Sequence, residues 1–259
     1  MPFIEISWRN QAVSIEYQWV GSNDTSKPIL VFLHEGLGSV AMWKDYPTDL
    51  CHQMGFRGLV YSRPAYGNST PKSKDVYWKN DFLHQQALEV FPEVLTALAI
   101  KQPVYLVGHS DGGSIALLIA AHLPSFVKAV AVIAPHIFVE DITINSIEQA
   151  KVQYLKGTLK NALSKYHQDV DSAFWGWNDV WLNPEFRKFD ITSELQQISC
   201  PLIGIQGSLD PYGTMAQVKD ITKYVKHAQV EEIPECGHSV HRDSPIMLSN
   251  VLQNFFGSI

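Results

Sequence analysis

The sequence predicts an α/β protein: a mostly parallel central sheet with helices on both faces and a helical insertion past the middle of the chain. Three observations carry this expectation. Short, solidly apolar runs at Ile29–Leu33, Val104–Val107, Val127–Ile133 and Pro201–Gln206 have the length and composition of strands buried on both faces. Stretches of helical spacing separate them, the alternation that builds a parallel sheet. Between residues 137 and 190 the alternation stops. That stretch holds Trp175, Trp177 and Trp181 and helical segments such as Ile147–Tyr166, with no strand pattern, and reads as an insertion over the sheet.

In chain order, Phe3–Trp8 and Ala12–Trp19 alternate in polarity and read as two strands turning near Asn10-Gln11. Ile29–Leu33 is followed by a glycine-containing loop, His34–Ser39. Leu59–Tyr61 is a shorter strand before a turn with Pro64, Gly67 and Pro71. Asp81–Ile100 has helical spacing, with Pro92 expected to kink or interrupt it. Ser114–Ala121 reads as a buried helix after Val104–Val107, and Pro135 closes Val127–Ile133. Beyond the insertion, Pro201–Gln206, Thr214–Val225, Gln229–Ile233 and Pro245–Phe256 alternate strand and helix again.

The chain has 259 residues, 46% of them hydrophobic and 18% charged, enough apolar material for a sizeable core and too much for disorder. The net charge of −6 and the lack of a basic stripe argue against nucleic acid as a partner. Three cysteines, Cys51, Cys200 and Cys236, do not form a disulfide framework and suit reduced thiols. Residues 1–10 do not resemble a signal peptide, and no run of apolar residues is long enough to span a membrane. A cytoplasmic protein without a membrane partner is expected. No feature sets an oligomeric state.

The chemistry enters at Gly108-His109-Ser110-Asp111-Gly112-Gly113, between a predicted strand end and a predicted helix start. A G-x-S-x-G stretch in that context makes a sharp turn that strains the serine backbone and exposes its hydroxyl, and both flanking positions have room only for glycine. The helix that follows offers free N–H groups and a partial positive charge. A tight strand-to-helix turn alone would also use glycine; the partners further along the chain favour catalysis. Ser110 is the candidate nucleophile.

A serine nucleophile needs a base and an acid to orient it. Ligands of open parallel sheets bind beyond the carboxyl ends of the strands. Asp210, in Gly207-Ser208-Leu209-Asp210-Pro211 directly after a strand, is the candidate acid, although an aspartate there also suits a turn or helix cap. His238, in Pro234-Glu235-Cys236-Gly237-His238 after the next strand, is the candidate base, with His241 as rival. The His-x-x-His spacing lacks further clustered ligands, so no metal is expected. Activity should fall below the pKa of an ordinary histidine, about 6.5. The oxyanion donors expected are the backbone N–H of Asp111 and one from the His34–Ser39 loop, Gly36 in first place, with Leu37 and Glu35 as alternatives.

With these pieces placed, the sequence resembles the α/β-hydrolase superfamily over nearly its whole length. The resemblance rests on the HEGLGS loop, the segment Tyr61–Ser69, the GHSDGG elbow, and the GSLD and CGH stretches. More narrowly, it is similar to bacterial meta-cleavage-product hydrolases, enol-lactonases and small-ester hydrolases. The resemblance implies an α/β-hydrolase fold, with residues 1–135 and 191–259 as core and 136–190 as a helical cap. It implies no metal and no organic cofactor. Arg63, Gly67 and Ser69 match the family segment after the fourth strand, whereas Glu35 replaces the first glycine of the usual His-Gly-x-x-G.

Glu35 and Asp111 thus put two carboxylates beside the expected oxyanion site, where Arg63 could neutralise Glu35. Such charges speak against strongly anionic acyl substrates. Phe174, Trp175, Trp177, Trp181 and Phe186 either pack the cap onto the core or line an apolar pocket, with one or two reaching it; Glu35, Leu37, Arg63, His136, Trp177, Trp181 and Tyr212 are the pocket candidates. The expected function is hydrolysis of a small carboxylic ester or lactone through an acyl-serine. The alternative is C–C bond hydrolysis, or a related lyase step, on a dienoate or diketone, with Arg63 or Arg187 holding a substrate carboxylate. A non-catalytic ligand-binding homologue is the remote alternative. Haloalkane and epoxide chemistry uses an elbow aspartate, where this chain has Ser110.

Overall fold

A computed structural model describes residues 1–73 and 77–259. Its centre is an eight-stranded sheet in the order β1-β2-β4-β3-β5-β6-β7-β8. The strands are β1 (Phe3–Trp8), β2 (Gln11–Gly21), β3 (Ile29–Leu33), β4 (Arg57–Tyr61), β5 (Val104–His109), β6 (Val127–Ile133), β7 (Leu202–Gly207) and β8 (Gln229–Ile233). β1 and β2 form a hairpin, β2 runs antiparallel to β4, and every other neighbouring pair is parallel. The hairpin turns at Arg9-Asn10, one residue before the expected place. Both residues have positive φ, 52° and 60°, as a two-residue turn between twisted strands requires.

The apolar runs work as two-sided strands. In β3, Leu30 and Phe32 enter one core cluster while Ile29, Val31 and Leu33 enter the other. The first cluster lies under α1 (Tyr46–Met54), α10 (Val240–Asp243) and α11 (Pro245–Gly257), and the second under α2 (Phe82–Gln85), α3 (Phe91–Ala97) and α4 (Asp111–His122). Eleven of the twelve α4 residues are buried, so this helix is apolar all round. The helical stretch expected over Asp81–Ile100 is interrupted by a π-helical turn, Gln86–Val90, in which the Phe91 N–H reaches back to the Gln86 carbonyl. The widened turn ends just before Pro92, which has no N–H to donate.

After β6 the chain leaves the sheet through α5 (Asp141–Leu155), α6 (Thr158–Leu163) and α7 (Val170–Trp181), and returns at β7. The two ends of this excursion are tied to each other. Phe138 and Asp190 form an isolated antiparallel bridge, and the Ile191 N–H donates to the Ile137 carbonyl at 2.9 Å. The helical stretch read at Ile147–Tyr166 begins earlier, at Asp141, and breaks at Gly157, where φ is +87°. The stretch Thr214–Val225 holds two short helices, α8 (Ala216–Lys219) and α9 (Ile221–Tyr224).

The register decides where the functional loops meet. Leu33 pairs with Gly108, His109 with Ile133, Ile133 with Ile205 and Gly207 with Ile233. The segments starting at 34, 110, 134, 208 and 234 therefore leave the sheet side by side at one edge, its carboxyl end.

Candidate active site

Ser110 sits between β5 and α4 with φ 53° and ψ −120°, a conformation that costs a non-glycine residue about 1–3 kcal/mol. Its surroundings impose it. The Ser110 N–H donates to the Ile133 carbonyl at 2.9 Å, and the Gly113 and Ser114 N–H groups close the first helical turn onto the Ser110 carbonyl. A Cβ on Gly112 would lie 2.0 Å from the Leu33 carbonyl oxygen, and one on Gly108 would lie 2.2 Å from the Gly112 carbonyl oxygen. Neither contact can be relieved by a side-chain rotation, because both partners are backbone.

The loop after β7 presents Asp210 and the loop after β8 presents His238. The His238 Nδ1 lies 2.9 Å from each Asp210 carboxylate oxygen. Asp210 is held from behind: the Tyr212 N–H donates to Oδ1 at 2.8 Å, and the Gln206 Nε2 donates to Oδ2 at 3.2 Å and to the Gly213 carbonyl at 2.7 Å. With Nδ1 against a carboxylate, a neutral His238 carries its proton there and keeps Nε2 free as an acceptor. Burial pushes the Asp210 carboxyl up, but its His238 and Tyr212 partners outweigh this and hold it below the usual carboxylate range. Burial lowers the His238 imidazole, a shift that Asp210 only partly opposes. His238 therefore stays neutral to a lower pH than a free imidazole.

His241, the rival base, is buried beside Trp43 and His109, with neither ring nitrogen hydrogen-bonded, and it does not line the cavity described next. Burial lowers its imidazole to about 3.

Ser110 and His238 open into a cavity of about 180 Å³. Glu35, Gly36, Leu37, Asp111, His136, Trp177, Trp181 and Tyr212 share its wall. The two backbone positions expected to donate to an oxyanion, Gly36 and Asp111, are thus brought to the nucleophile. Trp177 and Trp181, one turn apart on α7, supply the apolar roof. A Cβ on Gly36 would lie 2.2 Å from the Trp177 Nε1, so the loop and the indole pack in direct contact. The other aromatics of the insertion pack among themselves and, through Phe186 against Phe82, onto the core. Phe174 stacks on Tyr154 at 3.6 Å, and Phe186 packs against Trp181 and Phe189.

Arg63 is the exception among the pocket candidates. It lies beneath the loop rather than in the cavity wall, fully buried, with its Nη2 donating to the Glu35 carbonyl at 2.8 Å. It does not meet the Glu35 carboxylate. That group points the other way, 3.5 Å from the Arg242 guanidinium and 3.5 Å from the His109 Nδ1. The physical reason is the hydrogen-bond demand of a buried loop: the Glu35 carbonyl needs a donor, and Arg63 and the His34 Nδ1 supply it. Arg187 is on the surface, paired with Asp141 at 2.8 Å.

Asp111 has one oxygen, Oδ1, accepting from the Trp181 Nε1 at 3.2 Å, while Oδ2 has no hydrogen-bond partner. Burial pushes this carboxyl up to about 6, against the pull of Arg63 and Trp181. A carboxyl held up in the folded state binds more protons than the unfolded chain does between its ordinary 3.8 and about 6. Stability is lost as pH rises through that window, and the loss is complete above it. Asp111→Asn is expected to raise stability at pH 8 by on the order of 2 kcal/mol and to give little gain at pH 4, read from urea midpoints at the two pH values.

Residues without a local signal complete the site. His167, from the stretch before α7, accepts the Gly67 N–H at its Nδ1 (3.0 Å) and donates from Nε2 to the Leu37 carbonyl at 2.9 Å, clasping the insertion to the loop after β3. Arg242 reaches the site only through tertiary contacts, and His109, although it precedes Ser110 in the chain, finds its partners only across the fold. Glu35 was legible as a departure, but its partners were not. Among the described residues no cluster of His, Cys, Asp and Glu could hold a metal ion, and no helix is long and apolar enough to cross a membrane.

A mostly parallel sheet, a strained serine on a strand-to-helix elbow and a carboxylate-bound histidine beside it define a hydrolase of the α/β type. The chain belongs to the alpha/beta hydrolase family, whose profile matches residues 30–248. It is 26% identical to the human serine hydrolase BPHL over 240 residues, 88% of this chain and 78% of that protein. The carboxylesterase structure from the Thaumarchaeon Nitrososphaera gargenis has a TM-score of 0.79 at 19% identity, covering 99% of this chain and 98% of that one. The enol-lactonase from Burkholderia xenovorans LB400 has a TM-score of 0.77 at 15% identity, covering 99% and 100%. At those identities the two structures establish the shared fold.

Proposed function

We propose that this protein hydrolyses small, uncharged carboxylic esters or lactones through an acyl-serine on Ser110. The observation that carries the reading is the hold of both Asp210 oxygens on the His238 Nδ1, in the same cavity wall as the strained Ser110. Neutral His238 takes the Ser110 proton at Nε2 as Oγ attacks the carbonyl carbon. The amides of Gly36 and Asp111 receive the developing oxyanion, and His238 passes its proton to the leaving oxygen. Water then attacks the acyl carbon with His238 again as base, and the acid leaves. Asp210 keeps the histidine tautomer and stabilises the imidazolium.

The cavity limits the substrate by size and charge. An apolar void of about 150 Å³ takes a benzene ring, so some 180 Å³ suits a short acyl or aryl group. Among the described residues its wall carries Glu35 and Asp111 and no Lys or Arg. This disfavours the C–C alternative, which needs a cation for a substrate carboxylate, because Arg63 and Arg187 are both engaged elsewhere. Similarity to a serine hydrolase supports the serine chemistry.

Acid-quenched reactions with 4-nitrophenyl butyrate test the mechanism: a butyryl adduct is expected on the peptide carrying Ser110, and turnover with no adduct there would remove the acyl-serine. Charge selectivity has its own outcome. At pH 8 kcat/KM for 4-nitrophenyl butyrate should exceed that for the 4-nitrophenyl hemisuccinate by about tenfold or more, and Asp111→Asn should narrow the gap about tenfold. The wild-type gap should also shrink below pH 6, where Asp111 is protonated.

A further inference from the structure

His109 precedes the nucleophile and is fully buried, and the acyl-serine reading leaves it unused. Its Nε2 lies 2.9 Å from the backbone carbonyl of His238, and its Nδ1 faces the Glu35 carboxylate at 3.5 Å, an ion-pair rather than hydrogen-bond separation. The two rings are 4.9 Å apart. A carbonyl only accepts, so the His109 Nε2 carries the donated N–H. Glu35 in turn is 3.5 Å from Arg242, whose Nη2 also donates to the Met42 carbonyl at 3.1 Å. Burial pushes the Glu35 carboxyl up, but His109, His241 and Arg242 together hold it well below the usual range.

We propose that His109 is a positioning residue behind His238: its Nε2 N–H anchors the histidine-bearing loop by the His238 carbonyl, and the Glu35 carboxylate, held by Arg242, stands opposite its Nδ1. This rests on His238 acting as the base of the acyl-serine reaction. Glu35 bears on the base as well: a carboxylate facing His238 favours the imidazolium and leaves His238 protonated and inactive at higher pH. The charged and titratable groups around His238 are Asp210 and Tyr212 from the loop after β7, His136 from the segment after β6, His109 at the end of β5, Asp111 at the start of α4, Glu35 from the loop after β3, and His241 from α10, with Arg242 behind Glu35. Burial lowers His136 and His241 to about 3, so the carboxylates Asp210, Glu35 and, above about pH 6, Asp111 dominate the field.

The test is the acid limb of kcat/KM against pH for 4-nitrophenyl butyrate. Glu35→Gln removes a negative charge that favours the imidazolium and should move the limb down by about one pH unit. His109→Gln keeps an N–H for the His238 carbonyl and should retain plateau kcat within a few-fold, whereas His109→Phe should lose tenfold or more with KM little changed. Arg242→Gln, on a part-exposed side chain, should move the limb up by less and carries the sign test if the buried variants do not fold. Limbs of Glu35→Gln and Arg242→Gln that move together or not at all, or equal losses in His109→Gln and His109→Phe, would overturn the assignment. Turnover that survives Ser110→Ala would instead overturn the acyl-serine reading beneath it.

Discussion

Ser110→Ala is expected to lower kcat for 4-nitrophenyl esters by about 10⁵-fold, and His238→Ala by a similar factor. The double variant should be no worse than either single one, because in the proposed reaction nucleophile and base act as one unit. The size of the loss follows from what remains: a cavity that binds the ester and two amides that can polarise its carbonyl, without an oxygen to attack it. The structure is not expected to suffer. Alanine at 110 retains the Cβ and the N–H that donates to Ile133, and it relinquishes only a hydroxyl facing the cavity. Equal melting curves with collapsed turnover would separate chemistry from folding. Turnover within tenfold of wild type would mean that another group attacks.

Gly112→Ala is expected to have the largest effect on stability, a loss of about 3 kcal/mol or more, seen as a lower urea midpoint at an unchanged slope, or as failure to accumulate folded protein. The added methyl would meet the Leu33 carbonyl oxygen at 2.0 Å and the His34 carbonyl oxygen at 2.7 Å, both in the backbone where β3 hands over to the loop that follows it. Relief requires α4 to shift against β3, which would also displace Ser110. Gly113→Ala is the internal control. Its Cβ would meet Pro135 at 3.1 Å, a contact a small adjustment can absorb, and alanine favours the helix by about 1 kcal/mol. A net change within about 1 kcal/mol is expected there, and equal losses at the two glycines would contradict a backbone clash as the cause.

These two experiments probe opposite ends of what can be read from residues alone. The elbow is local: six consecutive residues specify a turn, a strained serine and a helix start. The strands themselves were equally accessible, because buried parallel strands announce themselves as apolar runs and glycines punctuate their carboxyl ends; their order in the sheet was not. Asp210 and His238 followed from position after a strand. Less accessible was Arg63, whose charge suggested a partner for the Glu35 carboxylate. Backbone satisfaction took precedence, and the guanidinium serves the Glu35 carbonyl instead.

By itself the sequence determined the α/β architecture, the strand-to-helix elbow and the residues at the strand ends, because each depends on periodicity or on steric limits within a few positions. Only the tertiary structure decided which way the side chains of those loops point. Glu35 meets Arg242 across 207 positions of the chain, His109 meets the carbonyl of His238, His167 clasps Leu37, and Trp177 rather than Trp175 packs on Gly36. Such pairings follow from strand register and helix rotation. Moving α7 by one residue would turn a different aromatic toward Ser110, while the pattern of apolar residues along the chain would look the same.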